Sequence, residues 1–110
     1  MRNLKCRVWN KNMGMSEPCT LTDIGIMAEE GLIDLENSDI MLYTELRDKN
    51  GAPIYDGDIL LLPCGEKAEV CFCLGAYGIL WNGFKPFTEC NASQYEVIGN
   101  VYENPELLKG

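Results

Sequence analysis

Apolar and polar residues alternate along residues 4 to 9, L-K-C-R-V-W, with Leu4, Cys6 and Val8 on one side and Lys5, Arg7 and Trp9 on the other. A period of two marks a half-buried strand. Asn10-Lys11-Asn12-Met13-Gly14 then reads as a turn. Over Ile24 to Glu30 the spacing shifts towards a helix, with Thr22 or Asp23 as N-cap, Ile24, Met27 and Leu32 as its apolar side, and Gly31 as its stop. Gly25 weakens that helix, and Ile33 to Glu36 reads as a short strand instead. Residues 40 to 46, I-M-L-Y-T-E-L, alternate again as a strand.

Two Gly-containing turn signals follow, Asn50-Gly51 and Asp56-Gly57. Asn-Gly supplies two residues that tolerate positive φ, as a type I′ hairpin turn requires. Pro53 has no N–H and belongs at a sheet edge or in a loop. The continuous apolar run Ile59 to Leu62 suits a core strand, broken by Pro63-Cys64-Gly65. Residues 68 to 74 alternate, which places Ala68, Val70, Phe72 and Leu74 inward and Glu69, Cys71 and Cys73 on the other face. Gly75 to Gly78 reads as a turn, Ile79 to Trp81 as a short strand, and Asn82-Gly83 as a second type I′ candidate before Phe84 to Phe87. Residues 95 to 102 form a last strand, with Gly99 marking a bulge. Asn104-Pro105-Glu106 has the N-cap, N1 proline and early acid of a helix start.

Short strands separated by Gly-containing turns predict a mainly β fold with small α content. The expected form is a strongly bent antiparallel sheet or small barrel, with an irregular N-terminal part. No repeat, low-complexity segment or linker is evident. One domain over residues 1–110 is expected, with 39–110 its β part and 10–38 a less regular insertion.

A chain of 110 residues, 46% of them hydrophobic, can bury a core without metal or disulfide support. The longest compact apolar run, Ile59 to Leu62, falls far short of the roughly 20 residues of a membrane helix. The start, M-R-N-L-K-C-R-V-W, is charged and has no apolar h-region, so no signal peptide and a cytoplasmic location are expected. Nine basic residues against seventeen acidic ones leave a net charge of −8. That excludes a polyanion binder working by counterion release, which needs clustered Lys and Arg. An acidic surface keeps the chain soluble or meets a basic protein.

Without an oxidising compartment, Cys6, Cys19, Cys64, Cys71, Cys73 and Cys90 are expected as free thiols that pack as small hydrophobes. Cys71 and Cys73 share a strand face, but C-x-C is not the C-x2-C of structural zinc sites. The chain has no histidine, the usual general base near neutral pH, and nothing in the sequence singles out one cysteine as a nucleophile. Asp48, Asp56 and Asp58 are the remaining metal candidates, because three acids can hold Mg²⁺ or Ca²⁺. Their spacing fails the EF-hand pattern, and Asp56 suits a turn equally well. We read them as corner residues, with Asp58→Ala costing about 1 kcal/mol. No catalytic residue, cofactor or metal is assigned.

Tyr77, Trp81, Phe84 and Phe87 lie among glycines and are candidates for an interaction surface. Such a platform can stack bases or take a proline-rich peptide, or simply fill the core or an oligomer contact. Lys85 is the only nearby cation, which speaks against single-stranded nucleic acid.

Y-T-E-L-R-D-K-N-G-A-P-I-Y-D-G-D-I-L and Y-E-V-I-G-N-V-Y-E-N-P-E-L-L resemble signature segments of the YopX-like phage protein family. L-K-C-R-V-W-N resembles that family's N-terminus and G-A-Y-G-I-L its central part. Residues 13–37 carry no clear likeness. Glu45 stands where the family usually has glycine, so the local geometry at residues 44–46 is in question. The resemblance implies a phage or prophage protein in a bacterial cytoplasm, a mostly β domain with an SH3-like barrel in its second half, and self-association. It brings no activity and no functional residues. The expected function is therefore a non-enzymatic accessory protein that binds a host or phage protein through an acidic surface or an edge strand. The alternatives are a homo-oligomeric structural module and a metal-dependent enzyme using Asp48, Asp56 and Asp58.

Overall fold

The computed structural model describes residues 5–32, 34–88 and 90–108. The chain forms two compact units, residues 1–43 and 44–110. Both are built on antiparallel strands, so the class is mainly β with one α-helix among the described residues. No helix among those residues is long and apolar enough to cross a membrane.

In the first unit, β1 (Lys5–Asn10) pairs with β2 (Gly14–Met15) and β3 (Cys19–Thr20), and with the start of β4 (Ser38–Arg47). The period of two holds: Cys6 and Val8 are buried, while Arg7 and Trp9 are half-buried. Leu4 and Ile33 lie outside the described residues. Asn10 closes the turn to β2, its Oδ1 accepting from the N–H groups of Asn12 (2.9 Å) and Met13 (3.1 Å).

Helix α1 (Leu21–Glu29) starts one residue before Thr22, so neither Thr22 nor Asp23 is its N-cap. Thr20 is. Its Oγ1 accepts from Asp23 N–H (3.2 Å), and Thr20 N–H donates to Asp23 Oδ2 (3.0 Å), a reciprocal capping box. Gly31 stops the helix at φ +73. Ile24 packs with Cys6 and Val8, flanked by Cys19, Met27 and Leu42. Leu32 is exposed instead of completing the apolar side. The strand expected at residues 33–36 is replaced by a 3-10 turn, Leu35–Asn37. The Asp34 carboxylate accepts from Glu36 N–H (3.1 Å), which favours a turn over extension.

Residues 40–46 do form a strand, but the simple alternation fails within it. Met41 and Thr44 are buried while Ile40 is exposed. Glu45 holds φ +70, a left-handed angle inside a strand, so the side chains beyond it do not continue the period.

The second unit contains β5 (Pro53–Tyr55), β6 (Asp58–Leu61), β7 (Lys67–Cys73), β8 (Ala76–Leu80), β9 (Phe84–Pro86) and β10 (Glu96–Asn100). The sheet order β10-β6-β7-β8-β9 is antiparallel throughout. The small barrel expected is present as a strongly curled sheet whose described edges are β9 and β10. Ile54, Leu60, Leu62, Ala68, Val70, Ile79, Ala92 and Tyr95 form its core. Gly99 marks the bulge in β10, where the register shifts between Val97 and Gly99. Pro105 opens a 3-10 turn, Pro105–Leu108.

The turn chemistry differs from expectation at two places. At Asn50-Gly51 only Gly51 has positive φ (+82), so the turn is not type I′. Its shape is set by Asp48, whose carboxylate accepts from Asn50 and Ala52 N–H groups. The turn expected at residues 75–78 lies earlier, at Leu74-Gly75, with φ +54 and +82 and Cys73 facing Ala76. That is the two-positive-φ pattern of type I′. Gly78 is a strand residue: a Cβ there would meet the Lys85 carbonyl and stand 2.8 Å from the Phe84 ring.

Candidate functional site

The three carboxylates weighed as metal candidates and read as corner residues do separate jobs. Asp48 is buried, with Oδ1 accepting from Asn50 N–H (2.9 Å) and Ala52 N–H (2.8 Å) and Oδ2 from Val97 N–H (2.9 Å). Burial alone would raise its pKa, but these N–H groups, Val97 foremost, and the Lys49 charge outweigh it and hold the carboxyl below its usual 3.8. Asp58 is fully buried in β6, and its Oδ2 accepts from Tyr55 N–H at 2.7 Å. Asp56 is half-buried at the β5–β6 turn. Among the described residues no group of three His, Cys, Asp or Glu stands close enough to hold a metal ion.

The cysteines are free thiols in the structure. Cys6 faces Cys19 across β1 and β3. Cys71 and Cys73 lie on one face of β7, where burial first, then the charges of Cys73, Glu69 and Asp56, push the Cys71 thiol up.

The four aromatics do not form one open platform. Trp81 and Phe87 pack against the core of the second unit, and Trp81 Nε1 donates to the Glu66 carboxylate. Lys85 is used internally: its Nζ lies 5.5 Å from the Trp81 ring centre and donates to the Trp81 carbonyl (3.0 Å). Phe84 covers Gly78. Only Tyr77 belongs to an exposed apolar group, its ring meeting that of Phe72 edge-on at 4.9 Å.

That group is the outer end of the β7–β8 hairpin. Phe72 is 57% exposed and Leu74 is 92% exposed. The alternation that placed both inward fails at the end of the strand. Val70 is buried, but β7 runs on past the core, so Phe72 leaves it. The missed signal is Leu74 itself. It occupies the first position of a two-residue turn at φ +54, where Asn, Asp or Gly is favoured and Leu is strained. The loop after β8 puts Asn82 at the same φ, +54, followed by Gly83. One hairpin uses the conformationally suited residue, and the other presents an exposed leucine.

Two acids lie further back: Asp56 in the β5–β6 turn, and Glu69 on β7 opposite Leu80, out of phase with Phe72. Burial raises the pKa of Asp56. Burial and the Asp56 charge raise that of Glu69, and burial and the same charge raise that of the Tyr77 hydroxyl. Among the described residues no lysine or arginine pairs with Asp56 or Glu69. The tip thus offers aliphatic and aromatic surface.

The sequence model described as YopX protein matches residues 5–109. The crystal structure of protein EF1440 from Enterococcus faecalis is similar, with a TM-score of 0.62 and 21% identity over 96% of this chain and 97% of that one. The X-ray structure of protein yopX from Bacillus subtilis is similar too, with a TM-score of 0.63 and 21% identity over 99% of this chain and 98% of that one. At these identities the likeness is one of fold. No curated protein matches the sequence.

Proposed function

This chain belongs to the YopX protein family, and we propose that it is a non-enzymatic accessory protein of phage or prophage origin that binds another protein in the bacterial cytoplasm. Its contact is the β7–β8 tip. The observation that carries this reading is Leu74, an almost fully exposed leucine held at a left-handed angle. A side chain that costs conformational energy and gains no internal packing is expected to act outside the fold.

The partner this surface fits is a host or phage protein with an apolar depression rimmed by Lys or Arg. The apolar part receives Leu74 and Phe72, and the cations answer the acidic chain as a whole. The net charge of −8 adds long-range attraction to a basic surface. Strand addition is the weaker route, because the edge strand β9 is three residues long and ends in Pro86, while β10 carries a bulge. Self-association is disfavoured by charge, since each copy carries a net −8. The non-enzymatic part is supported by the absence of histidine and by the use of Asp48 and Asp58 as acceptors for backbone N–H groups.

The test is capture from host lysate with wild-type chain and a Leu74→Asn variant in parallel. A protein retained by the first, lost by the second and released by salt supports the proposal. Equal retention by both refutes the assigned surface. Concentration-dependent dimers broken by the same substitution replace it with self-assembly.

A further inference from the structure

Cys6 and Cys19 occupy directly opposed positions on β1 and β3. Opposed residues of an antiparallel pair have Cα atoms about 4.5–5.5 Å apart, inside the range a disulfide spans. Cys6 is fully buried and Cys19 half-buried, so an oxidant in solution reaches Cys19 first. Cys71 and Cys73 offer no equal alternative. They are consecutive same-face residues of one extended strand, with Cα atoms about 7 Å apart, at the limit of disulfide reach.

We propose that Cys6 and Cys19 form a redox modification site, closed to a cross-strand disulfide by a peroxide-class oxidant and reopened by thiols. The Cys19 sulfur attacks one peroxide oxygen, the O–O bond breaks, and water and a sulfenic acid result. The Cys6 sulfur then attacks the Cys19 sulfur, the S–O bond breaks, and a second water leaves. The two cysteines lose two electrons and two protons, and one hydrogen peroxide becomes two waters. Burial and the nearby charges of Cys19 and Asp23 push the Cys6 thiol up to about 12, so the second step is slow and the pair withstands mild oxidation.

The closed form ties β3 to β1. Thr20, the N-cap of α1, follows Cys19 directly, so the same bond fixes the helix start. The bond reduces the freedom of the unfolded chain between the two cysteines.

The experiment treats the full chain with hydrogen peroxide and maps its peptides without reduction. The expected result is loss of two hydrogens per chain, a principal cross-link joining Cys6 to Cys19, and a rise in melting temperature of about 10 °C. Dithiothreitol should reverse the rise. Cys19→Ala should abolish it, whereas Cys71→Ala with Cys73→Ala should retain it. A different principal pair, over-oxidation of Cys19 without a link, or a rise that survives Cys19→Ala would each overturn the proposal.

Discussion

The carboxylate of Asp48 accepts a hydrogen bond from the backbone N–H of Val97, on the opposite side of 48 intervening residues, at 2.9 Å. The same side chain shapes the turn at residues 49–51, and Lys49 N–H donates to the Tyr95 carbonyl beside it (2.9 Å). One buried acid thus joins a hairpin turn to the start of β10. Asp48→Ala leaves three N–H groups short of their acceptor and should cost about 2–3 kcal/mol. Denaturant unfolding measures it. A cost below a few tenths of a kcal/mol would show the linkage to be incidental.

The carboxyls also set the acid response, in two opposed directions. The folded pKa of Asp48 lies below its ordinary 3.8. Its contribution is complete above that value and is lost as pH falls through the folded pKa. The folded pKa values of Asp56 and Glu69 lie above the ordinary 3.8 and 4.5. There the native state holds protons more tightly than the unfolded chain, so their charging removes stability as pH rises through that window. Melting temperature should therefore peak at mildly acid pH and fall steeply below about pH 4. Asp48→Asn should flatten the acid limb, and Asp56→Asn with Glu69→Gln the other. A profile unmoved by either pair of changes would contradict the assignment.

Asp58 carries more than a local cap. It is fully buried, and its Oδ2 holds the Tyr55 N–H inside the second unit. The sequence alone suggests a loss of about 1 kcal/mol for Asp58→Ala. The structure raises this to about 3 kcal/mol, since a buried donor loses its partner and a cavity opens. Asp58→Asn, which keeps an acceptor oxygen, should recover part of it in the same unfolding measurement.

Glu45 is a strained exposed residue in a strand, with φ +70. Thr44 Oγ1 fixes the kink, donating to the Ile54 carbonyl (2.8 Å) and accepting from Leu46 N–H (3.2 Å). Glu45→Gly should raise stability by roughly 0.5–1 kcal/mol, the left-handed penalty less the entropy glycine adds to the unfolded chain. A destabilised variant would mean that the Glu45 side chain, not its backbone, matters here.

Much of this fold is legible in local chemistry. Cys6 and Val8 alternate with polar neighbours because β1 has one buried face. Gly31 and Asn104-Pro105 punctuate where their backbone preferences require it. The Glu45 kink is readable only through the family likeness, which puts glycine at that position. Thr20 escaped as N-cap although Thr20 and Asp23 have the spacing of a capping box, because Thr22 and Asp23 stood nearer the apolar run. Asn50-Gly51 suits either of two turns, and the choice is made by Asp48 through space. Phe72 and Leu74 show the limit of periodicity: it assigns a face to each residue but not the point at which the core ends.

The central claim is that Leu74 is placed for a partner and not for the fold. The most direct measurement pairs the melting temperature of Leu74→Asn with its retention of the captured protein. Asn suits φ +54 better than Leu, so the variant should be as stable as the wild type or more so, by up to about 1 kcal/mol. Retention should fall at least about tenfold, equivalent to about 1.4 kcal/mol of binding. A variant that is destabilised and still holds its partner would mean that Leu74 serves the hairpin itself.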